Sequence, residues 1–387
     1  MIRRVIPIIA GAVALIAAIA SSSSSWATSS NTQTGLATVA AQSSLVAQAK
    51  AVVVAAEKPI TTWHGPTSSP KPAKGKTVYV ISCSPDTEGC QRDVRAAVQA
   101  AKTIGWTVKR LDSDGTVANF VSLMDQAINA GANGIIVASF PPAAFPAPLQ
   151  LAASKHIPVV TMLSGATPPA ASSSFTGGYF TEVDTDPTVQ GRLAADWIIW
   201  KTNAHAVIGD INEPAFPILG ERIAGFKAVF ARCSGCSIKQ ELDVPVADIA
   251  SQAAPAVASF LQANPDVNYF WSTYDGAAVF AVQAVHQVGL AGKLSMISID
   301  GNAVNLSYIR TSNVQVADVV APHEWIGWAA VDQMNRAFNH KPPAPQWAPG
   351  GGGIPTKFLV KSNLPANKAP FTGDFNYQAQ FKKLWGK

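Results

Sequence analysis

The chain has 387 residues, of which 48% are hydrophobic and only 14% charged, with a formal net charge of +5 at pH 7. At about 150 residues per domain this length predicts two domains, and the apolar share is ample for a core in each. The thin charge excludes a nucleic-acid footprint, which needs Lys and Arg gathered on one face; the densest basic stretch, Lys71 to Lys76, is interleaved with Pro and Gly and reads as a solvated linker. The N-terminus reads as a signal peptide over residues 1–20. Arg3 and Arg4 precede an apolar run from Val5 to Ala20, and small residues suit cleavage at Ala18-Ile19-Ala20 or as late as Ser25-Trp26-Ala27. The run is shorter than the ~20 apolar residues of a membrane span. No cysteine follows it for lipid attachment, so the expected location is periplasmic or secreted.

Residues 21–75, rich in Ala, Ser, Thr, Val, Pro and Gly, read as a low-complexity lead-in. A helical turn or two is expected over Leu45 to Ala56, and Trp63 is placed to dock back on the body. From Lys76 to Leu163 one unit repeats. The strands TVYVIS, WTVKRLD, GIIVAS and IPVVTM alternate with helical patterns beginning at Gln91, Ala118 and Phe145. Val94, Ala97, Val98, Ala101 and Ile104 share one helix face, and Phe120, Leu123, Met124, Ala127 and Ile128 another. Asp114 or Asn119 is the expected cap of the second helix. Such alternation predicts a parallel sheet covered by helices, with ligands at the carboxyl ends of its strands.

The pattern resets at Thr181 to Pro187 and then repeats. A helix runs from Val189 to Lys201. The strands HAVIGDI, SIKQELD, VNYFWST and LSMISID follow, with helices beginning near Ile218, Ile249 and Gly276. After Asp300 come a short helix, the strand VQVADVV, a helix from His323 to Phe338, a Pro/Gly-rich loop and a last strand, TKFLVKS. The tail, 363–387, carries Phe371, Phe375, Tyr377, Phe381 and Trp385 and is expected to pack on its own domain.

The four cysteines fall as C-x6-C (Cys83, Cys90) and C-x2-C (Cys233, Cys236). Three pairings are open, of which the two local disulfides are favoured in an exported chain. A zinc site and a redox dithiol are the rivals. The first lacks a second C-x2-C or a nearby His, and the second lacks a helix opening at Cys233. The six histidines are scattered, so no metal site and no cofactor are expected.

The order of elements and a series of short motifs resemble the type I periplasmic binding proteins, in particular the ribose- and galactose-binding group that serves ABC transporters. The motifs are Ile104-Gly105-Trp106, Leu111-Asp112-Ser113, Gly131-Ala132-Asn133-Gly134, His156-Ile157-Pro158, Arg222-Ile223-Ala224-Gly225-Phe226, Asn264-Pro265-Asp266, Ser298-Ile299-Asp300-Gly301 and Ile326-Gly327. The resemblance covers about Lys76 to Ser362. It implies an α/β fold of two Rossmann-like lobes joined by a three-segment hinge, with crossings near 183–186, 320–322 and before Lys357. The N-terminal lobe would be 76–183 plus 322–350, and the C-terminal lobe 184–321 plus 354–362. The family closes on its ligand as a hinged trap.

Several family positions are replaced. Gly89 and Cys90 stand where sugar binders stack aromatics on the ring, and Leu163-Ser164 where they place an Asp-Arg pair. Tyr274 replaces an Asn, Ala321 a Gln, and Gly220 an Arg; Asp300 alone remains of the hydroxyl-binding carboxylates. The expected ligand contacts are Thr87, Glu88, Cys90, Ser139, Phe140, Ser164, Phe216, Arg222, Tyr274, Asp300 and Trp325. A sugar needs a partner for each hydroxyl that it desolvates, so this set implies a less hydroxylated ligand, aromatic or amphiphilic. Blander roles stand beside these: Trp271 as core, Asp275 as a helix cap, Arg222 as a structural ion pair, Glu88 as first-turn charge. The resemblance implies a monomeric, non-enzymatic receptor that hands a small molecule to an ABC permease. A sensory receptor presenting ligand to a chemoreceptor or kinase is the alternative. No Gly-x-Ser-x-Gly or phosphate-binding loop supports an enzyme, and a repressor would need a helix-turn-helix where the signal peptide stands.

Overall fold

The computed structural model describes residues 27–165, 178–366 and 368–387, with side chains from residue 40 onward. The signal-peptide reading of residues 1–20 lies outside the described residues, and the later cleavage motif reaches them only at Ala27. The chain divides into two compact units, 1–43 and 44–387. Of the first, helical backbone is described from Ala27 and side chains from residue 40.

Helix α1 (Ala27–Ala56) is longer than the turn or two that the sequence predicts. The reason lies in its part within the second unit. Leu45, Ala49 and Val53, four residues apart, form one buried face in a cluster with Trp197, Ile198 and Phe226. Packing of that face, more than intrinsic propensity, stabilises such a helix.

The body has two lobes. The first holds β1 (Thr77–Ser82), α2 (Glu88–Thr103), β2 (Thr107–Asp112), α3 (Val117–Asn129), β3 (Gly134–Ala138), α4 (Pro146–Ser154), β4 (Val159–Met162) and β5 (Thr181–Val183). The strands form one parallel sheet in the order β2-β1-β3-β4-β5. Every residue of β3 and β4 is buried, as expected of strands covered on both faces. The edge strand β2 is largely exposed and carries Lys109, Arg110 and Asp112, charges that discourage pairing with another chain. Thr116, not Asp114 or Asn119, caps α3: its hydroxyl accepts from the Asn119 N–H, and the Asp114 carboxylate in turn holds Thr116.

The second lobe holds α5 (Pro187–Lys201), β6 (Val207–Asn212), α6 (Pro217–Phe230), β7 (Ser237–Asp243), α7 (Ile249–Ala263), β8 (Tyr269–Ser272), α8 (Asp275–Gln287), β9 (Ser295–Asp300), α9 (Ala303–Thr311) and β10 (Gln315–Val320). Its sheet runs β11-β10-β9-β8-β6-β7, where β11 (Lys357–Val360) returns late in the chain and pairs antiparallel to β10. Between them, α10 (His323–Phe338) leaves the second sheet and packs along α2 and β4 of the first. Gly327 makes that packing possible. A Cβ there would lie 2.5 Å from the Asp93 carbonyl oxygen and 2.6 Å from the Ala97 nitrogen, closer than real Cβ contacts come. The last helix, α11 (Tyr377–Trp385), covers α10. Trp385 stacks on Trp328 at 5.5 Å, and from the linker Trp63 stacks on Trp325 at 5.4 Å. The aromatic tail thus packs on its own chain. Trp271 is core, stacked on Phe226 at 4.1 Å.

Candidate functional site

The strand ends of both lobes face each other across a cavity of about 70 Å³. Three non-glycine residues at those ends adopt positive φ: Ser139 (65°) after β3, Leu163 (51°) after β4 and Asp300 (137°) closing β9. All three line the cavity. Backbone held in such sparsely populated regions costs about 1–3 kcal/mol per residue and gathers where function constrains it.

The first lobe contributes the N-terminal turns of α2 and α10. Thr87, Gly89, Cys90 and Asp93 line the cavity from α2, and a disulfide from Cys90 to Cys83 ties this turn to the end of β1. A second disulfide joins Cys233 and Cys236. His323 opens α10 and sets its Nδ1 3.0 Å from Asp93 Oδ1. Its Nε2 lies 3.6 Å from Asp300 Oδ1, too far for a hydrogen bond. Burial alone would lower the His323 pKa. Asp93, with Asp300 behind it, overcomes this and raises it to about 9, so the ring is a cation with two N–H donors at neutral pH. Burial likewise pushes the Asp93 carboxyl upward against the pull of His323.

The second lobe contributes Arg222 and Asp300. The Arg222 guanidinium donates to Asp300 Oδ1 at 2.8 Å, to the Thr273 carbonyl at 2.8 Å and to Gln190 Oε1 at 2.9 Å. Burial opposes the charge of Asp300, yet Arg222 and His323 hold its pKa at about 2. Phe216, Ile218, Leu219 and Val246 form an apolar wall beside Tyr274, with Leu163 opposite on the first lobe. Four residues that line the cavity each carry a buried side-chain atom without a hydrogen-bond partner: Thr87 Oγ1, Asp93 Oδ2, Tyr274 OH and His323 Nε2. Among the described residues no cluster suits a metal ion.

A sequence model described as periplasmic binding protein domain matches residues 78–342. The chain belongs to the periplasmic binding protein family. Solved structures of the same fold agree with the type I resemblance read from the motifs. An ABC sugar transporter subunit from Rhodobacter sphaeroides superposes with a TM-score of 0.64 at 19% identity, covering 74% of this chain and 99% of its own. A 5-methylthioribose transporter solute-binding protein from Thermotoga lettingae, in complex with 5-methylthioribose, gives 0.67 at 16% identity, covering 81% and 95%. A solute-binding protein from Agrobacterium vitis with bound allitol gives 0.64 at 17%, covering 74% and 96%. No curated protein sequence matches the chain. The family and these neighbours are non-enzymatic binding proteins.

In this periplasmic binding protein the structure brings together seven of the residues expected at the ligand: Thr87, Cys90, Ser139, Phe216, Arg222, Tyr274 and Asp300. Four others do not line the cavity. Glu88 accepts from the backbone N–H of Ala303 at 3.1 Å. Phe140 packs behind the wall, 4.2 Å from Phe120 and 5.4 Å from Phe216. Ser164 is bound through its N–H (2.7 Å) and hydroxyl (2.6 Å) to the buried Glu182. Trp325 stacks on both Trp63, at 5.4 Å, and Tyr377, at 5.3 Å, because the linker and tail aromatics claim it. Asp275, expected as a cap, is the first residue of α8, and its carboxylate accepts from Asn302 N–H at 2.7 Å and from the Ser298 hydroxyl. The sequence reading missed Asp93 and His323. Asp93 stands three residues after Cys90, on the same helix face. His323 opens the helix after a strand end, as Thr87 precedes one, and that position was the available signal.

Proposed function

We propose that the protein is an exported solute receptor. It encloses a small molecule between its lobes by hinge closure and delivers it to an ABC importer in the membrane. The observation that carries this reading is the cavity between the strand ends of the two lobes, four of whose lining residues, Thr87, Asp93, Tyr274 and His323, carry a buried polar atom without a hydrogen-bond partner. A buried polar atom left without a partner costs about 1–3 kcal/mol, and a solute that supplies the partners recovers it. The names of the structural neighbours, an ABC sugar transporter subunit and a solute-binding protein holding 5-methylthioribose, support the same reading. The solute is less hydroxylated than a plain pentose or hexose. Apolar side chains make up much of the wall, and Arg222 and Asp300 already bind each other.

Native mass spectrometry of the protein purified from its own cells tests this directly: a retained small-molecule mass is expected. Loss of uptake of that molecule on deletion of the protein supports delivery to an importer. Unchanged uptake with loss of a transcriptional or chemotactic response assigns it to sensing instead.

A further inference from the structure

Charge balance narrows the solute further. The charged side chains lining the cavity form two opposed pairs, Asp93 with His323 and Asp300 with Arg222. Neither pair leaves a net charge for an ionic ligand to neutralise. A carboxylate would sit among the two aspartates, and an ammonium group beside Arg222 and the protonated His323, each at a cost in unpaired buried charge.

The unpartnered atoms add direction. Asp93 Oδ2 can only accept, and His323 Nε2–H can only donate, while the Thr87 and Tyr274 hydroxyls do either. Hydroxyl groups are the neutral partners that donate to one and accept from the other. The remaining lining is apolar on one side: Leu163 from the first lobe, and Phe216, Ile218, Leu219 and Val246 from the second. The volume, about 70 Å³, holds roughly five waters at the space that each requires, which excludes oligosaccharides.

We propose that the solute is a small uncharged amphiphile, with a hydroxyl-bearing head seated at Asp93, His323, Thr87 and Tyr274 and an apolar body against Leu163, Ile218 and Leu219. This rests on the receptor reading above and names its ligand class. The head needs the hydrogen-bonding set at the N-termini of α2, α8 and α10; the body needs the apolar wall, in which Leu163 stands where the resemblance places an ion-pairing residue.

The test is a thermal-shift and calorimetry panel on the purified full-length protein. Its probes are 1,2-hexanediol and trans-1,2-cyclohexanediol, their charged counterparts hexanoate and hexylamine, and D-ribose. At about ten times Kd a diol is expected to raise Tm by about 2–4 °C, and the other three are expected to leave it unchanged. Tyr274→Phe and Thr87→Val remove one unpartnered hydroxyl each and keep the shape. Both are expected to fold at least as stably as the parent and to bind the diols about tenfold more weakly. Asp93→Asn and His323→Gln are expected to weaken diol binding further.

Tighter binding of hexanoate, hexylamine or ribose than of either diol overturns the ligand class. So does a panel in which nothing binds, and so does diol binding that is indifferent to both hydroxyl deletions. A retained mass on native mass spectrometry together with any of these results leaves the receptor reading standing and the class refuted. No retained mass and no binding count against the receptor reading itself.

Discussion

Replacing Arg92 with methionine should expose how the lobes are held together. Arg92 lies on α2 of the first lobe and is fully buried. It forks onto Glu324 through Nε (3.0 Å) and Nη2 (2.9 Å). Its Nη1 reaches the second lobe at the carbonyls of Asp300 (3.3 Å) and Gly301 (3.2 Å) and at Asn302 Oδ1 (2.9 Å). Nη2 also donates to the Phe371 carbonyl in the tail at 2.6 Å. Breaking a buried pair by removing one partner costs about 3–5 kcal/mol, because the other charge stays buried. Glu324 keeps 20% of its side chain in solvent, which places the expected loss near the lower end, about 3 kcal/mol. With a urea m-value of about 3 kcal/mol/M for a body of this size, the denaturation midpoint should fall by about 1 M. Arg92→Lys keeps the charge but not the fork and should recover less than half. Small-angle scattering of Arg92→Met should show a larger radius of gyration than the parent, since three of the lost bonds join the lobes. A midpoint shift below about 0.3 M with an unchanged radius would refute this account of Arg92.

Three further predictions concern the supports of the site. Burial pushes the Glu182 carboxyl up to about 7 against the hydrogen bonds of Ser164 and Thr161, from an unfolded value of 4.5. A folded pKa raised in this way stabilises fully below about pH 4.5 and loses that contribution as pH rises through 7. Urea denaturation should therefore show stability falling between these values, with a share of about 3 kcal/mol that Glu182→Gln removes; identical pH profiles for the two proteins contradict it. Gly327→Ala forces α10 off α2 and should cost about 1–3 kcal/mol. It should also lower the His323 pKa, read by NMR titration, because the ring then withdraws from Asp93. Replacing Cys83 and Cys90 together by serine should cost about 2–3 kcal/mol by opening a short loop and weaken solute binding, since the cystine lines the cavity; replacing Cys233 and Cys236, outside the cavity lining, should leave affinity unchanged.

The fold was legible because its signals are local and repeated. Strands such as GIIVAS and LSMISID, each followed by a helical pattern, specify parallel sheets without reference to distant residues. The lining of the candidate cavity was legible where it follows strand ends, as at Ser139, Tyr274 and Asp300. It was not legible where two distant segments meet. His323 matters because Gly327 lets α10 lie on α2 and bring the ring to Asp93, a pairing across 230 residues. Trp325 looked available until the linker Trp63 and the tail Tyr377 stacked on its ring. Ser164 looked available until Glu182, from the neighbouring strand, took its N–H and hydroxyl. α1 was underestimated for the same reason, since the surface that covers Leu45, Ala49 and Val53 is formed by residues far along the chain.

The division of labour between the lobes bears on how closure is driven. Three of the four unpartnered atoms, on Thr87, Asp93 and His323, belong to the first lobe, and most of the apolar wall belongs to the second. Each lobe also keeps its own charge pair, Asp93 with His323 and Arg222 with Asp300, so opening the cleft strips no charge of its partner. The 3.6 Å contact between His323 and Asp300 spans the two pairs but is too long for a hydrogen bond, so the polar ties between the lobes include those of Arg92 to Asp300, Gly301 and Asn302, which involve no solute. Under the proposed receptor reading, a solute would meet most of its hydrogen-bonding partners on the first lobe while the cleft is open. On the proposed hinge closure, its apolar body would become buried only when the second lobe folds over it. Closure would then be favoured by apolar burial, the differential interaction that a ligand needs to shift a two-state equilibrium. Its calorimetric mark is a negative heat-capacity change on binding. A solute without an apolar body would occupy the first lobe and give the second little reason to close.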